Sequence, residues 1–185
     1  LGLDLDARIL DVGCGAGHFL TRLHQLGFRD LTGIDPYLDR DRQPAPGLRL
    51  LKTDLASLSG TYDLIRLNHS LEHMPRQAEQ LAGIAAHLKP GGCCLIGVPL
   101  VTSHAWDHYG TDWVQLDAPR HLYLHSEASL KRLASAAGLA LLRVIHDSTA
   151  FQFWGSELYR QDIALREARQ TGRRSHRRRT APTTR

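Results

Sequence analysis

The residues of this chain whose types and spacing could do chemistry begin in a glycine-rich turn. Gly13, Gly15 and Gly17 alternate directly after Ile9, Leu10 and Val12, whose apolar side chains are typical of a buried strand. Glycine accepts positive φ angles and lets a ligand lie against the backbone. Apolar residues at helical spacing begin just after His18. The pattern therefore predicts a strand, a tight turn that contacts a ligand, and a helix.

The spacing of these glycines separates two classes of ligand. A dinucleotide-binding turn of the form GxGxxG would need glycine at position 18, where the pyrophosphate meets the helix N-terminus, and this chain has His18. An NAD-dependent dehydrogenase is therefore disfavoured. Read from Asp11, the motif is Asp-x-Gly-x-Gly-x-Gly, with Cys14 inside it. A glycine-rich turn that binds nothing remains the alternative.

The second predicted strand, which begins at Leu31, ends in an acidic residue. Asp35 lies 22 positions after Gly13. A carboxylate at the end of the second strand of such a unit accepts hydrogen bonds from the two ribose hydroxyls of a bound nucleoside. Because Pro36 follows, Asp35 is also a common kind of turn residue, and its assignment depends on the preceding glycines.

The next two strands bring more polar residues to the same edge of the sheet. The third strand ends in Asp54, beside Leu55, and Asp54 either binds a ligand or caps a short helix. The fourth strand, Tyr62–Asn68, is followed by His69. Because the carboxyl ends of parallel strands form the ligand crevice of a doubly wound sheet, Asn68 and His69 are candidate ligand contacts.

The remaining elements continue the alternation of strands and helices. We predict a helix over about 76–88, a fully buried strand over 93–98, a helix capped by Ser126, a strand over Leu139–His146, a short edge strand over Phe151–Trp154 and a helix from Ser156 to about Gln170. The prolines between positions 36 and 47 exclude a full helix there. Such alternation predicts an α/β fold.

The turn Asp11–Gly17 resembles motif I of the class I S-adenosylmethionine-dependent methyltransferases, whose cofactor has no phosphate to bind. The Leu-Glu-His-Met-Pro run at 71–75 and the run Leu88–Val98 resemble small-molecule methyltransferases related to the ubiquinone-biosynthesis O-methyltransferases. The resemblance implies a doubly wound, mostly parallel sheet of seven strands in the order 3-2-1-4-5-7-6, in one domain over residues 1–170. It also implies methyl transfer to a small molecule, with oxygen favoured over nitrogen or carbon as the acceptor.

The resemblance further implies which residues bind S-adenosylmethionine. Asp35 would bind the ribose and Asp54 the adenine amino group, while Asn68 and His69 would contact the methionine end. The full predicted set of cofactor contacts is Asp11, Gly13, Cys14, Gly15, Gly17, His18, Asp35, Pro36, Asp54, Leu55, Asn68 and His69.

Candidates for catalysis lie in a long loop. The segment Pro99–His125 is too long for a simple connection, and its block Trp113–Tyr123 resembles one found in a subgroup of these methyltransferases. We expect the segment to fold over the carboxyl edge of the sheet. His121 is then the candidate general base, and Arg120 is either an anchor for a substrate anion or an ion-pair partner. A hydrogen-bonding staple is the alternative role of His121, with His69 as the other candidate base.

The eleven histidines raise the question of a metal site. His69, Glu72 and His73 echo a segment with which some ubiquinone-pathway relatives bind a divalent ion. His69 stands here where the first carboxylate would be, and hard ions such as magnesium prefer oxygen ligands. We therefore predict no metal.

Composition is consistent with one globular domain. Hydrophobic residues make up 42% of the 185 residues, and no apolar run approaches the roughly 20 residues of a membrane span. Three cysteines are too few for a disulfide framework, which favours a reducing cytoplasm. Six residues precede the first strand, so we expect the helices found before it in these enzymes to lie outside this sequence.

The net charge of +4 comes from the end of the chain. Residues 171–185 contain six arginines and no acid, whereas the remaining residues carry 17 basic against 19 acidic side chains. We expect a disordered, solvated tail, with nucleic acid or anionic lipid as alternative partners. The alternative function of a nucleic-acid methyltransferase is supported by this tail alone. A module that binds S-adenosylmethionine without catalysis is the other alternative function.

Overall fold

A computed structural model describes residues 2–165, and its largest element is a six-stranded sheet. The strands are β1 (Arg8–Val12), β2 (Asp30–Ile34), β3 (Arg42–Ala45), β4 (Leu48–Leu51), β5 (Tyr62–Asn68) and β6 (Leu88–Gly97). Their order is β3-β4-β2-β1-β5-β6, and every neighbouring pair is parallel except β3 with β4. The predicted mostly parallel α/β sheet is confirmed.

Helices lie between some of the strands and after the last one. They are α1 (His18–Gln25), α2 (Gln77–His87), α3 (His104–Tyr109), α4 (Glu127–Ala136) and α5 (Phe151–Arg160). Short 3-10 turns occur at Leu71–His73 and Gly110–Asp112. Because α1 lies between β1 and β2, and α2 lies between β5 and β6, these two parallel pairs are each joined by a helical crossover.

The described chain divides into two compact units. The first comprises residues up to 99 and residues 125–143, and it holds the sheet with α1, α2 and α4. The second comprises residues 100–124 and the residues from 144 onward, and it holds α3 and α5. Between residues 2 and 165, no helix combines the length and the apolar composition that crossing a membrane requires.

Apolar side chains cover both faces of the sheet in the first unit, because successive residues of each strand point to opposite faces. Leu10 and Ile65 belong to one apolar cluster, which includes residues of α2 and α4. Ile9 and Leu64 belong to the other, which includes Leu20 of α1. Each of these buried aliphatic side chains contributes about 1.5–3 kcal/mol to folding. Both faces of the sheet therefore hold the strand ends in fixed positions.

The start of α4 confirms the predicted N-cap. The Ser126 hydroxyl accepts a hydrogen bond from the Ser129 backbone N–H at 3.2 Å, and the Ser129 hydroxyl accepts one from the Ser126 N–H at 3.0 Å. This reciprocal pair satisfies two backbone donors at the helix start. The prediction that no full helix lies between positions 36 and 47 is also confirmed, because β3 and β4 form an antiparallel pair there.

The last two predicted strands are wrong. Residues 139–149 have no regular secondary structure, and Leu142 and Ile145 in this stretch are 80% and 70% exposed. Phe151–Trp154, predicted as the edge strand, forms the first turn of α5, where the rings of Phe151 and Trp154 lie edge to face with centroids 5.1 Å apart. A strand needs a hydrogen-bonding neighbour, and apolar alternation alone does not supply one.

The first five predicted strands correspond, in chain order, to β1, β2, β4, β5 and β6. Their predicted order in the sheet, 3-2-1-4-5, is therefore present among residues 2–165 as β4-β2-β1-β5-β6, whereas the predicted continuation by strands 7 and 6 is not. The predicted full burial of the fifth strand is also wrong, because no further strand of the described residues pairs with it. Its counterpart β6 ends the sheet of the described residues, and Leu95 is 49% exposed. The predicted basic tail at 171–185, and the domain boundary at 170, lie outside the described residues.

Candidate functional site

The turn after β1 is held by its own backbone against the end of β2. The N–H groups of Gly13 and Cys14 both donate to the Ile34 carbonyl, at 2.9 and 3.1 Å. The next donor, the N–H of Gly15, binds Oδ2 of Asp35 at 3.0 Å. Gly17, at φ 78°, then starts α1. The predicted strand, turn and helix are therefore present, and the turn meets the predicted ribose-binding acid.

The three alternating glycines have different surroundings. A Cβ on Gly13 would lie 2.6 Å from Cβ of Ser70, and one on Gly17 would lie 2.7 Å from Cδ1 of Leu50. Gly15 also has a positive φ, 51°, but a Cβ there would have no atom within 4 Å. Packing against the protein itself thus requires glycine at 13 and 17. The backbone of Gly15, by contrast, faces open space that a ligand can occupy.

Asp35 is placed to bind a ligand beside this open position. Its Oδ2 accepts from the Gly15 N–H, and its Oδ1 accepts from the Tyr37 N–H at 2.9 Å. An ionised carboxylate has about four acceptor positions, so each oxygen can accept a second hydrogen bond. Asp35 is half-buried, while Pro36 and Tyr37 are exposed. The carboxylate is thus oriented by backbone and still able to accept two hydroxyl donors.

Asp11 has a protein partner that the sequence analysis missed. Its Oδ1 accepts from Nη1 of Arg66 on β5 at 2.9 Å, and the Arg66 guanidinium lies 4.0 Å from the centroid of the Phe19 ring. Burial raises the pKa of Asp11, and the hydrogen bond and charge of Arg66 oppose that rise. The sequence did contain a sign of this pair, because Asp11 and Arg66 are charged residues within two largely apolar strands, and the two positions lie opposite each other in the sheet. A contact between Asp11 and a cofactor stays a prediction.

Cys14 and His18 take different positions in the turn. Burial raises the pKa of the Cys14 thiol to about 12, with smaller contributions from the carboxylates of Asp11 and Asp35. The thiol is therefore uncharged at neutral pH and is no nucleophile. His18 is exposed as the first residue of α1.

Asp54 caps a turn, and the short helix offered as its alternative role does not form after it. Its Oδ1 accepts from the Ser57 N–H at 2.9 Å, and hydrogen bonds from the Ser57 hydroxyl and N–H lower the pKa of Asp54. The side chain of Asp54 is exposed. Its binding of an adenine amino group stays a prediction. Leu55 is buried in the apolar cluster of α2, where Cδ2 lies 3.1 Å from the position of a Cβ on Gly83.

The end of β5 brings Asn68 and His69 beside the glycine turn. β5 pairs with β1, and the hydroxyl of Ser70 donates to the Val12 carbonyl at 2.9 Å. Asn68 is exposed as the last residue of β5. His69 has a left-handed backbone with φ 52°, and its side chain is 57% exposed. Non-glycine residues in this conformation occur disproportionately at functional sites.

The second unit holds the other predicted catalytic residues. Nδ1 of His121 lies 2.8 Å from the Gln115 carbonyl, and Nε2 lies 3.7 Å from Oδ2 of Asp117. Only 7% of the His121 side chain is exposed. Arg120 donates from Nε and Nη2 to Oδ1 of Asp117, at 3.0 and 2.7 Å. These are the contacts expected of a staple and an ion pair, and roles for His121 and Arg120 toward a substrate stay predictions.

Contacts that sequence reasoning missed also fix this second unit. Tyr109 of α3 donates its hydroxyl hydrogen to Glu157 of α5 at 3.0 Å. The Val114 N–H donates to the fully buried hydroxyl of Ser156 at 2.9 Å. Each bond joins residues more than 40 positions apart in the chain, and no local pattern predicts such pairs.

Comparisons with known proteins agree with this architecture. The family model described as a methyltransferase domain matches residues 1–144. The trans-aconitate 2-methyltransferase of Deinococcus radiodurans is 34% identical over 105 residues, which cover 54% of this chain and 40% of that protein. The ubiquinone biosynthesis O-methyltransferase of Nitrosococcus oceani is 36% identical over 100 residues, which cover 46% of this chain and 40% of that protein. The matches thus span about two fifths of these curated relatives.

A solved structure shows the same fold. The magnesium protoporphyrin IX methyltransferase of Synechocystis PCC 6803, crystallised with bound SAH, matches with a TM-score of 0.60. The match covers 80% of this chain and 71% of that one, at 21% identity. At this identity the similarity is evidence for the fold alone.

Proposed function

The chain belongs to the methyltransferase-domain family, and on that premise we propose that it transfers a methyl group from S-adenosylmethionine to a small molecule. The observation that carries the proposal is the difference between Gly15 and its two neighbouring glycines. Packing explains Gly13 and Gly17, whereas Gly15 has no protein atom within 4 Å of the position of a Cβ. The positive φ of Gly15, 51°, favours glycine by itself, and the open space beside it leaves room for a ligand against the backbone.

The residues around Gly15 suit S-adenosylmethionine. Asp35 offers acceptor positions for the two ribose hydroxyls and is oriented by the Gly15 and Tyr37 N–H groups. The chain has His18 where a pyrophosphate-binding turn would need glycine, which agrees with a cofactor that has no phosphate. Asp54 and Asn68 would hold the two ends of the cofactor.

When bound, S-adenosylmethionine supplies an electrophilic methyl group on a positively charged sulfur. The chain's own residues then need to orient the acceptor in line with that methyl group and to exclude water. We propose oxygen as the acceptor atom. The name of the Nitrosococcus oceani relative, an O-methyltransferase of ubiquinone biosynthesis, supports that choice.

Binding and turnover can be tested separately on the full chain. Calorimetric titration with S-adenosylhomocysteine is expected to show one site per chain. Incubation with S-adenosylmethionine and a probe acceptor, either trans-aconitate or 3,4-dihydroxybenzoate, is expected to release S-adenosylhomocysteine, measured by mass spectrometry. Absence of binding would contradict the proposal. Binding without acceptor-dependent release would favour a non-catalytic module.

A further inference from the structure

A buried carboxylate follows β5 directly. Glu72 lies in the turn Leu71–His73 and is only 1% exposed. Burying a carboxylate is costly unless a partner compensates it. The structure places Nδ1 of His69 3.3 Å from Oε1 of Glu72. The buried acid therefore faces an imidazole that is itself 57% exposed.

The backbone fixes that imidazole at the edge of the glycine turn. The His69 N–H donates to the Gly97 carbonyl of β6 at 2.8 Å, which holds His69 in its left-handed conformation. The next residue, Ser70, is bonded to Val12 and would contact a Cβ on Gly13. An exposed, strained histidine is thus anchored next to the proposed cofactor-binding turn.

A second histidine near Glu72 has a different state. His125, just before α4, is 3% exposed, and its Nδ1 lies 3.2 Å from the Ser129 hydroxyl. Burial lowers the pKa of His125, and the charge of Glu72 opposes that shift. His125 therefore stays uncharged at neutral pH. Of these two histidines, His69 has the larger exposure and is the one that can exchange protons with an acceptor or with solvent.

We propose that Glu72 is a positioning residue that keeps a proton on Nδ1 of His69, so that Nε2 of His69 is the general base. The proposal rests on the methyl transfer proposed above and names its acceptor class. A carboxylate acceptor, with a pKa of about 4, is already ionised at neutral pH, whereas a phenol, with a pKa of about 10, must lose a proton. A buried acid paired with an exposed histidine therefore assigns a neutral hydroxyl, such as a phenol, as the acceptor.

The step balances with these two residues. The acceptor oxygen forms a bond to the methyl carbon while the carbon–sulfur bond breaks and its electron pair goes to sulfur. The hydroxyl proton moves to Nε2 of His69 and from there to solvent. Glu72 stabilises the imidazolium formed in between, as a carboxylate does in other histidine–acid pairs. General bases of this kind contribute roughly 10²–10⁴ in rate.

The tautomer of His69 tests the pair without any acceptor. In ¹⁵N spectra of the full chain near neutral pH, the His69 ring is expected to carry its proton on Nδ1, with the signals assigned by His69→Gln. Glu72→Gln keeps the buried volume and is expected to reduce the Nδ1–H population. The control Glu79→Gln, an exposed acid 3.3 Å from Arg76, should leave the spectrum unchanged. A wild-type His69 protonated on Nε2 instead would overturn the proposal.

Kinetics with 3,4-dihydroxybenzoate tests the consequence. We expect His69→Ala to lower kcat about a hundredfold and free imidazole to restore part of the rate. Glu72→Gln should lower kcat about tenfold with KM unchanged, and the double variant should be no slower than His69→Ala, because the two residues act as a unit. Additive losses would contradict the pair. Failure of the wild type to bind S-adenosylhomocysteine would instead reject the proposed function, and the His69 tautomer would still decide the pair.

Discussion

The glycine turn and the segment Trp113–Tyr123 both contain predicted site residues, but different parts of the chain fix them. In the turn, the backbone N–H groups of Gly13 and Gly15 bind the end of β2. In the second segment, the side chains of Arg120 and His121 make the fixing contacts. The turn thus keeps an open position for a ligand, whereas the side chains of the segment already have protein partners.

The largest expected effect concerns the buried support of the turn. Arg66→Ala leaves the Asp11 carboxylate, whose side chain is 3% exposed, without its 2.9 Å partner. Removal of one member of a buried pair costs about 3–5 kcal/mol, and urea unfolding measures it. The control Arg29→Ala breaks an exposed pair, 3.4 Å from Asp6, and should cost less than about 1 kcal/mol. Equal costs for the two variants would show that Asp11 does not depend on Arg66.

Gly15→Val tests the open position directly. A branched side chain there fills the proposed ligand space, and we expect affinity for S-adenosylhomocysteine to fall at least a hundredfold, or about 2.7 kcal/mol. The positive φ adds a stability cost of about 1–2 kcal/mol. Gly91→Val is the matched control, because Gly91 also has a positive φ, 79°, and no atom within 4 Å, but lies near the opposite end of the strands. The same affinity in both variants would rule out Gly15 as a ligand contact.

Asp35→Ala is expected to weaken binding by at least about tenfold, because it removes two charge-assisted hydrogen bonds of roughly 1.5–3 kcal/mol each. The control Asp41→Ala removes another carboxylate that accepts a backbone hydrogen bond, from the Lys52 N–H at 2.7 Å. Circular dichroism should show both variants folded. An unchanged dissociation constant for a folded Asp35→Ala protein would reject the ribose assignment.

The smallest expected effect on catalysis is at His121. Its Nδ1 contact with the Gln115 carbonyl is that of a staple, so His121→Ala should lower the melting temperature by a few degrees, as expected for about 1–2 kcal/mol in a chain of this size. Turnover of 3,4-dihydroxybenzoate should fall less than tenfold. If turnover instead falls about a hundredfold with no change in melting temperature, His121 is the general base, as the sequence predicts, and His69 is not.

The elements whose patterns are local could be predicted from the sequence. The fourth predicted strand matches β5, Tyr62–Asn68, residue for residue, and Ser126 caps α4 as expected. The stretch 139–146 shows the limit, because its apolar residues suit a strand but its state depends on a distant neighbour. Phe151–Trp154 shows it again, since aromatic residues suit both a strand and a helix face.

In the candidate site, too, the features set by local sequence could be predicted and those set by distant contacts could not. Glycine spacing indicated the turn and the acid at Asp35, because those positions are set by backbone conformation. The spacing did not separate Gly15 from Gly13 and Gly17, since the contacts with Ser70 and Leu50 come from other strands and loops. The same holds for the pairing of Asp11 with Arg66, 55 residues apart in the chain.

Amide chemical shifts of the full chain during titration with S-adenosylhomocysteine test the central claim most directly. We expect saturable shifts at Gly13–Gly17 and Asp35, with the Gly15 N–H among the largest because it lies beside both the open position and the Asp35 carboxylate. Saturable binding that leaves the turn and Asp35 unshifted and moves other amides instead, or no binding at all, would contradict that claim.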